Sequence, residues 1–437
     1  MASIVTVPDE FRGMNLPGAL NYYVVSDASS IETRVENASA GDVIGVRGGS
    51  YNFSGTILAD NSGTIDHPIY LIGLDRNVTF VGPDYTTNMQ LFRIQANFWR
   101  MFNIRMRNCY SHLWLFRANN NIIRGCEFYE AGRSILHIKG LSRFNVIEDC
   151  VLHHSRMDTS IFQPSEGIYV GTDIASWGSL TFGLTNNGTG VATDPDDSSF
   201  NIIRRNYIYN TYTENIEFKE GTRCNIATEN VLDGTGMRTD VTTDSKNIMC
   251  KGNFCQIYHN FIIVPGSDAI SLTNASDNSI GPTDNYIGPN LYDYSAPSVT
   301  PDKGIDAGTL AINNIINPDQ RVIAGTPPSP FLATNLEYKR EGTEIVVTVT
   351  ATYTARAVDE IVLANATSAA FTVNLPTAVG IKGKKLTIKK IDSSGNAVTL
   401  DPNASQTIDG ASTVALSTQW AYKTLVSDGT NWLTVGQ

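Results

Sequence analysis

The chain has 437 residues, is 41% hydrophobic and carries a formal net charge of −11. That length allows two or three domains and a sizeable core. The acidic balance argues against a nucleic-acid partner, because phosphate binding needs clustered Lys and Arg. Its start, "MASIVTVPDEFRGMNLPG", lacks both a basic opening and a long apolar run, so a soluble protein made in a cytoplasm is expected. No stretch reaches the ~18 apolar residues of a membrane span, so no membrane insertion is expected. Cys109, Cys126, Cys150, Cys224, Cys250 and Cys255 form no CxxC pair and read as buried free thiols.

Residues 1–40 read as an N-terminal segment with a capping helix. "SSIETRVENA", 29–38, offers Ser29 and Glu32 as a capping box, and Ile31, Val35 and Ala38 as one apolar face. Such a helix would plug the open end of a solenoid. "GDVIGVRGGSYN", 41–52, is then the first coil.

A repeat follows. "NIRMRN" begins at 103, "NIIRGC" at 121, "NVIEDC" at 145, "NIIRRN" at 201, "NIATEN" at 225 and "CQIYHN" at 255. Five residues after each start stands Asn108, Cys126, Cys150, Asn206, Asn230 or Asn260. The usual spacing of 22–24 residues, widened by insertions, with Asn at one corner, predicts a right-handed parallel β-helix. Coils stacked ~4.8 Å apart share one core. Corner Asn residues are expected to adopt the left-handed backbone conformation and to bond their neighbours above and below.

A second strand of each coil aligns by alternation: "LHIK" 136–139, "IYVG" 168–171, "IEFK" 216–219, "IMCK" 248–251 and "ISLT" 270–273, with "WLFR" 114–117 a looser fit. First and third letters face in; second and fourth face out. This sets Glu217 and Lys219 beside His137 with Lys139, Tyr169 with Gly171, and Met249 with Lys251. The β-helix is expected over 41–324, a Pro-rich linker "GTPPSPF" over 325–331, and a small all-β module over 332–437.

The coils, with "GDVIGVRGGSYN", "EGIYVGT" (166–172) and "ENIEFKEGT" (214–222), resemble the pectate-lyase-like family of right-handed β-helix proteins over roughly 25–320. Many members bind or cleave acidic or complex polysaccharides, and others are adhesins. The tail "NLPTAVGIKGKKLTIKKIDSSGNAVTLDPNASQTIDG…SDGTNWLTV" resembles the small β modules near the C-terminus of bacteriophage tail-fibre and tailspike proteins, over about 354–437. Together the two resemblances imply a tailspike: a homotrimer of the virion tail, acting on a bacterial surface polysaccharide. A non-catalytic adhesin and a purely structural virion component share that architecture.

For a lyase of this fold, the resemblance implies a Lys or Arg that removes the proton beside a uronate carboxylate. Lys139, Lys219 and Lys251 share one column. Repulsion between Lys219 and Lys251 is expected to lower one pKa, as a base at neutral pH needs. Glu217 would orient a lysine or hold calcium; His137 and Tyr169 are candidate acids. Arg117, in the same column, is a candidate substrate-binding residue. For a hydrolase, Glu166 and Glu214 should be coil neighbours with carboxyls ~5 Å apart, suited to a retaining glycosidase or to Ca²⁺. Lys246 and Asp268 share that column, which leaves a structural ion ladder as the alternative. Equally, a lysine stripe can be a solvated sheet face. No reading requires a cofactor, calcium being the one candidate.

Two insertions, 172–200 and 233–247, flank the stripe as candidate groove walls. Trp177 in the first is a candidate sugar-stacking residue, or it packs the loop on the shaft. "DPDD", 194–197, reads as a solvated turn rather than a calcium site.

Overall fold

The computed structural model describes residues 7–159, 165–177, 195–238, 245–264, 268–275, 277–295, 304–317, 319–326, 332, 337–338, 346–356, 359–379 and 381–437. Most of the first insertion, the middle of the second and most of the proline-rich linker lie outside these residues. The chain divides into two compact units, Met1–Asn314 with Asp319–Glu337, and Ile315–Pro318 with Tyr338–Gln437. Among the described residues no helix is long and apolar enough to cross a membrane.

The first unit is a parallel β-helix. Its strands fall into three parallel sheets of twelve, nine and ten strands, to which successive coils contribute in turn. The in–out alternation builds the core directly. Ile168, Ile216, Ile248, Ile270 and Ile305 are register partners in the nine-stranded sheet, and all are wholly buried. Each such burial stabilises by about 1.5–3 kcal/mol.

The corners divide their work between two residues. Asn206, Asn230, Asn260 and Asn290 form one buried ladder, in which each Oδ1 accepts from the preceding Asn's side-chain and backbone N–H at 2.9–3.1 Å. A second ladder joins Asn121, Asn145, Asn201 and Asn225. The left-handed conformation, expected of the ladder Asn, belongs instead to the residue before it: Asn120, Phe144, Phe200, Cys224, Arg205, Glu229 and His259 all have φ between 50° and 62°. The turn is made there, and the ladder side chain satisfies the backbone groups that the turn leaves unpaired.

Three sequence expectations shift. "NIRMRN" is out of register with the other copies: Asn121 is level with Trp99, whose N–H it accepts at 2.7 Å, while Asn103 and Asn108 are themselves left-handed. The helix is Ala28–Glu36, capped by Asp27, whose side chain accepts from the Ser30 N–H; the Ser29–Glu32 capping box is not the cap. The winding also starts before the helix. Asn21–Val25 pairs in parallel with Asp42–Val46, so the helix lies between the first two strands of the twelve-stranded sheet rather than ahead of the coils. Ile31 and Val35 on its inner face are wholly buried. The six cysteines are free, and all but half-buried Cys224 are buried.

The second unit carries a five-stranded and a four-stranded sheet, both with parallel and antiparallel pairs. Val362, Ile388, Leu400, Leu425 and Trp432 are among its core. The Trp432 indole donates to Pro376 O at 3.1 Å, which satisfies its buried N–H.

Candidate active site

The register of the nine-stranded sheet assembles the outward columns. Leu136, Ile168, Ile216 and Ile248 are successive partners, so His137, Tyr169, Glu217 and Met249 stand side by side on the outer face. Lys139, Gly171, Lys219 and Lys251 follow two residues on. Glu166, Glu214, Lys246 and Asp268 precede the His137 column by three residues, each level with the next. Lys246 and Asp268 close an ion pair of 2.9 Å.

One strand departs from its expected register. Leu113, not Trp114, is level with Leu136, so Trp114 partners His137 and Phe116 partners Lys139. A one-residue slip exchanges faces. It brings Trp114 into the column and moves Arg117 past its end, where it is exposed and left-handed.

The outer face here is largely buried. Lys139, Glu166, Glu214, Glu217 and Lys219 are only 2–6% exposed. They line a cavity of about 370 Å³, together with His137, Tyr169 and Lys251. All eight residues singled out as candidate catalytic groups thus share one chamber. Arg117 and Trp177 are not among its lining residues. The Trp177 indole donates to Thr172 O at 3.1 Å, and its ring lies where a Cβ on Gly221 would stand, 2.8 Å from Cζ2. It packs the insertion against the shaft.

Glu217 organises the charged half of the chamber. Its Oε1 pairs with Lys219 Nζ and Lys251 Nζ, each at 3.0 Å, and Lys219 also reaches Asp173 at 3.3 Å. Burial alone would drive the proton off Lys219, but Glu217, with Tyr169 and Glu220, holds its pKa well above the ordinary value. Burial opposes ionisation of Glu217 as well, yet Lys219 and Lys251 keep its carboxyl below the usual range. The expected mutual repulsion of the two lysines is therefore overturned: a carboxylate sits between them.

The depressed lysine is Lys139. Burial brings it down to about 7; Asp196 opposes the fall, and Arg133 and Arg93 add to it. Its Nζ stands 3.6 Å from the centre of the Trp114 ring. Burial, then Lys139, pushes His137 well below its ordinary value, so its ring is neutral. Its Nε2–H donates to Gly171 O at 2.7 Å. Gly171 breaks the lysine column for a steric reason. Its φ is +91°, and a Cβ there would stand 2.5 Å from Thr222 Cγ2. Burial holds the Tyr169 phenol protonated. Burial, and then the Glu217 charge, raises Glu166, whose carboxyl accepts from Ser134 Oγ.

Glu166, Glu214 and Glu217 each place a carboxylate oxygen within 4.8 Å of the others. Three oxygens so placed are a start on a calcium site. The surroundings fit a cation poorly, because two ammonium groups already hold Glu217 and would repel it.

The sequence reading passed over several groups here. Trp114 needed the corrected register. Arg133 and Ser134 precede their strand by a few residues, and Ser134 heads the Glu166 column. Asp196 and Asp197 are buried rather than a solvated turn. Asp197 takes Arg143 and Arg223 at 2.5 and 2.7 Å. The acidic run itself was visible; its burial was not.

No protein-family model matches the sequence, and neither does any curated protein. Solved structures do. An alginate lyase from Paenibacillus sp. str. FPU-7 superposes with a TM-score of 0.57 at 22% identity, over 72% of this chain and 99% of that one. PfbA, a surface adhesin of Streptococcus pneumoniae, superposes with a TM-score of 0.52 at 11% identity, over 96% and 98%. At such identities the likeness establishes the parallel β-helix fold, which an enzyme and an adhesin share.

Proposed function

We propose that the chamber binds an acidic polysaccharide and cleaves it by β-elimination. One observation carries this reading: a lysine with a pKa of about 7, Lys139, shares a cavity with Lys219, which is held as a cation, and with a protonated phenol. A uronate carboxylate is drawn to Lys219, Lys251 and Arg133. Neutral Lys139 takes the proton from the carbon beside that carboxylate. Electrons of the broken C–H bond form the new C=C bond as the C–O bond to the next sugar breaks. The Tyr169 hydroxyl gives its proton to the departing oxygen. Proton transfer from Lys139 to Tyr169 through solvent restores both groups. No step passes through a metal ion.

A second reading has its own support. Raised Glu166 and lowered Glu217 are split as an acid and a nucleophile or base would be in a glycosidase. The alginate lyase among the structural neighbours agrees with the first reading, and PfbA with a purely adhesive role. The likeness of the terminal module to phage tail proteins supports placing this activity on a homotrimeric tailspike that meets a bacterial surface polysaccharide.

The test is incubation with a panel of capsular and uronate polysaccharides. The proposal expects ultraviolet absorbance from unsaturated ends together with new reducing ends. Reducing ends alone would transfer the assignment to the hydrolase. Binding with neither signal would leave an adhesin.

A further inference from the structure

The long insertion leaves the stack after Gly171 and returns at Asp196. Asp196 is 1% exposed and accepts four hydrogen bonds. Its Oδ2 takes the Gly140 N–H at 2.9 Å and the Thr172 hydroxyl at 2.6 Å. Its Oδ1 takes the Leu141 N–H at 2.9 Å and the Ser198 hydroxyl at 2.8 Å. Gly140 and Leu141 both have positive φ and form the turn that follows Lys139. Thr172 is the first residue after Gly171, whose carbonyl holds His137. One carboxylate therefore ties the two ends of the insertion to each other and to the turn beneath Lys139.

We propose that Asp196 is a positioning residue for Lys139: it fixes the Gly140–Leu141 turn, and so the place of the lysine in the chamber, and its negative charge sets how firmly that lysine holds a proton. This rests on the reading of Lys139 as the base, but the geometry that supports it does not. A bare staple needs only the hydrogen bonds. A positioning role needs the charge as well: four donors fix the buried carboxylate against the turn that follows Lys139, and from there it acts electrostatically on the lysine. Burial and Arg133 pull the proton off Lys139, and Asp196 is the opposing charge. The insertion thus tunes the base through the same group that anchors it.

The experiment reads Lys139 without any sugar, so it stands apart from the fate of the β-elimination reading. The titration midpoint of Lys139 is measured by competitive acetylation across pH, with mass spectrometry of the peptide that carries it. It is compared in the wild type, Asp196→Asn and Thr172→Val. D196N removes the charge and should lower the midpoint by about one unit. T172V removes one donor and keeps the charge, so its midpoint should stay with the wild type. An unchanged midpoint in D196N, or an equal shift in T172V, overturns the proposal and leaves Asp196 a staple. If D196N fails to fold, amide hydrogen exchange of the wild type decides instead. The Gly140 and Leu141 amides should be protected well beyond an exposed turn, and rapid exchange at both would overturn the positioning role.

Discussion

At the scale of single residues, the chamber is a problem of proton allocation. His137, Lys139, Glu217 and Lys219 are all nearly buried, and burial together with neighbouring charges of the same and adjacent coils sets how firmly each holds its proton. Lys139→Met removes the proposed base and should abolish turnover while binding persists. In the wild type the rate should rise as pH passes through about 7, because only the neutral amine accepts a proton. Stability should follow the same group. In the unfolded chain Lys139 stays charged up to about 10.4; in the fold it is neutral above about 7. Between those values the unfolded chain binds more protons, so stability should rise with pH, and K139M should lose that slope. Urea titrations of both proteins across the window check this, and parallel slopes would mean that Lys139 keeps its proton in the fold. Glu217→Gln leaves two buried ammonium groups facing each other. The expected cost is about 3–5 kcal/mol by chemical denaturation; a smaller loss would mean that water reaches the chamber to screen them.

At the scale of elements, the coil explains why the site exists. Short strands with period-2 alternation bury one residue in two, and the corner ladder sets where each coil turns. Asn230 shows what the ladder contributes. It donates to Ile203 O and Asn260 Oδ1 and accepts from the side chain and backbone of Asn206. Asn230→Ala should lower stability by about 3 kcal/mol, since net losses near 1 kcal/mol per bond add to the cost of groups left unsatisfied. A change under about 0.5 kcal/mol, the scale of an ordinary surface substitution, would show the ladder to be ornamental. Alternation made six chamber residues legible from one-dimensional text, and the coil spacing added Glu166 and Glu214. It failed at "WLFR", because Trp114, Leu115 and Phe116 are all large and apolar, and no contrast marks which of them faces in.

At the scale of the whole molecule, two units with separate cores predict two heat-absorption peaks in scanning calorimetry. Only the peak of the β-helix should move up when an acidic oligosaccharide is added, since ligand bound to one folded unit stabilises that unit. A single peak, or both moving together, would mean that the units unfold as one. Repeat, alternation and Asn spacing were enough to determine the coils and to gather Glu217, Lys219 and Lys251 on one flank, because such periodicity is a local property of the chain. Only the tertiary structure decided that the flank is buried in a cavity, that Glu217 lies between two lysines, and that Lys139 is the one with the weakened hold on its proton. Those outcomes depend on burial and on charge separations of a few ångströms between residues of different coils and the returning end of an insertion, and no spacing along the chain records such distances.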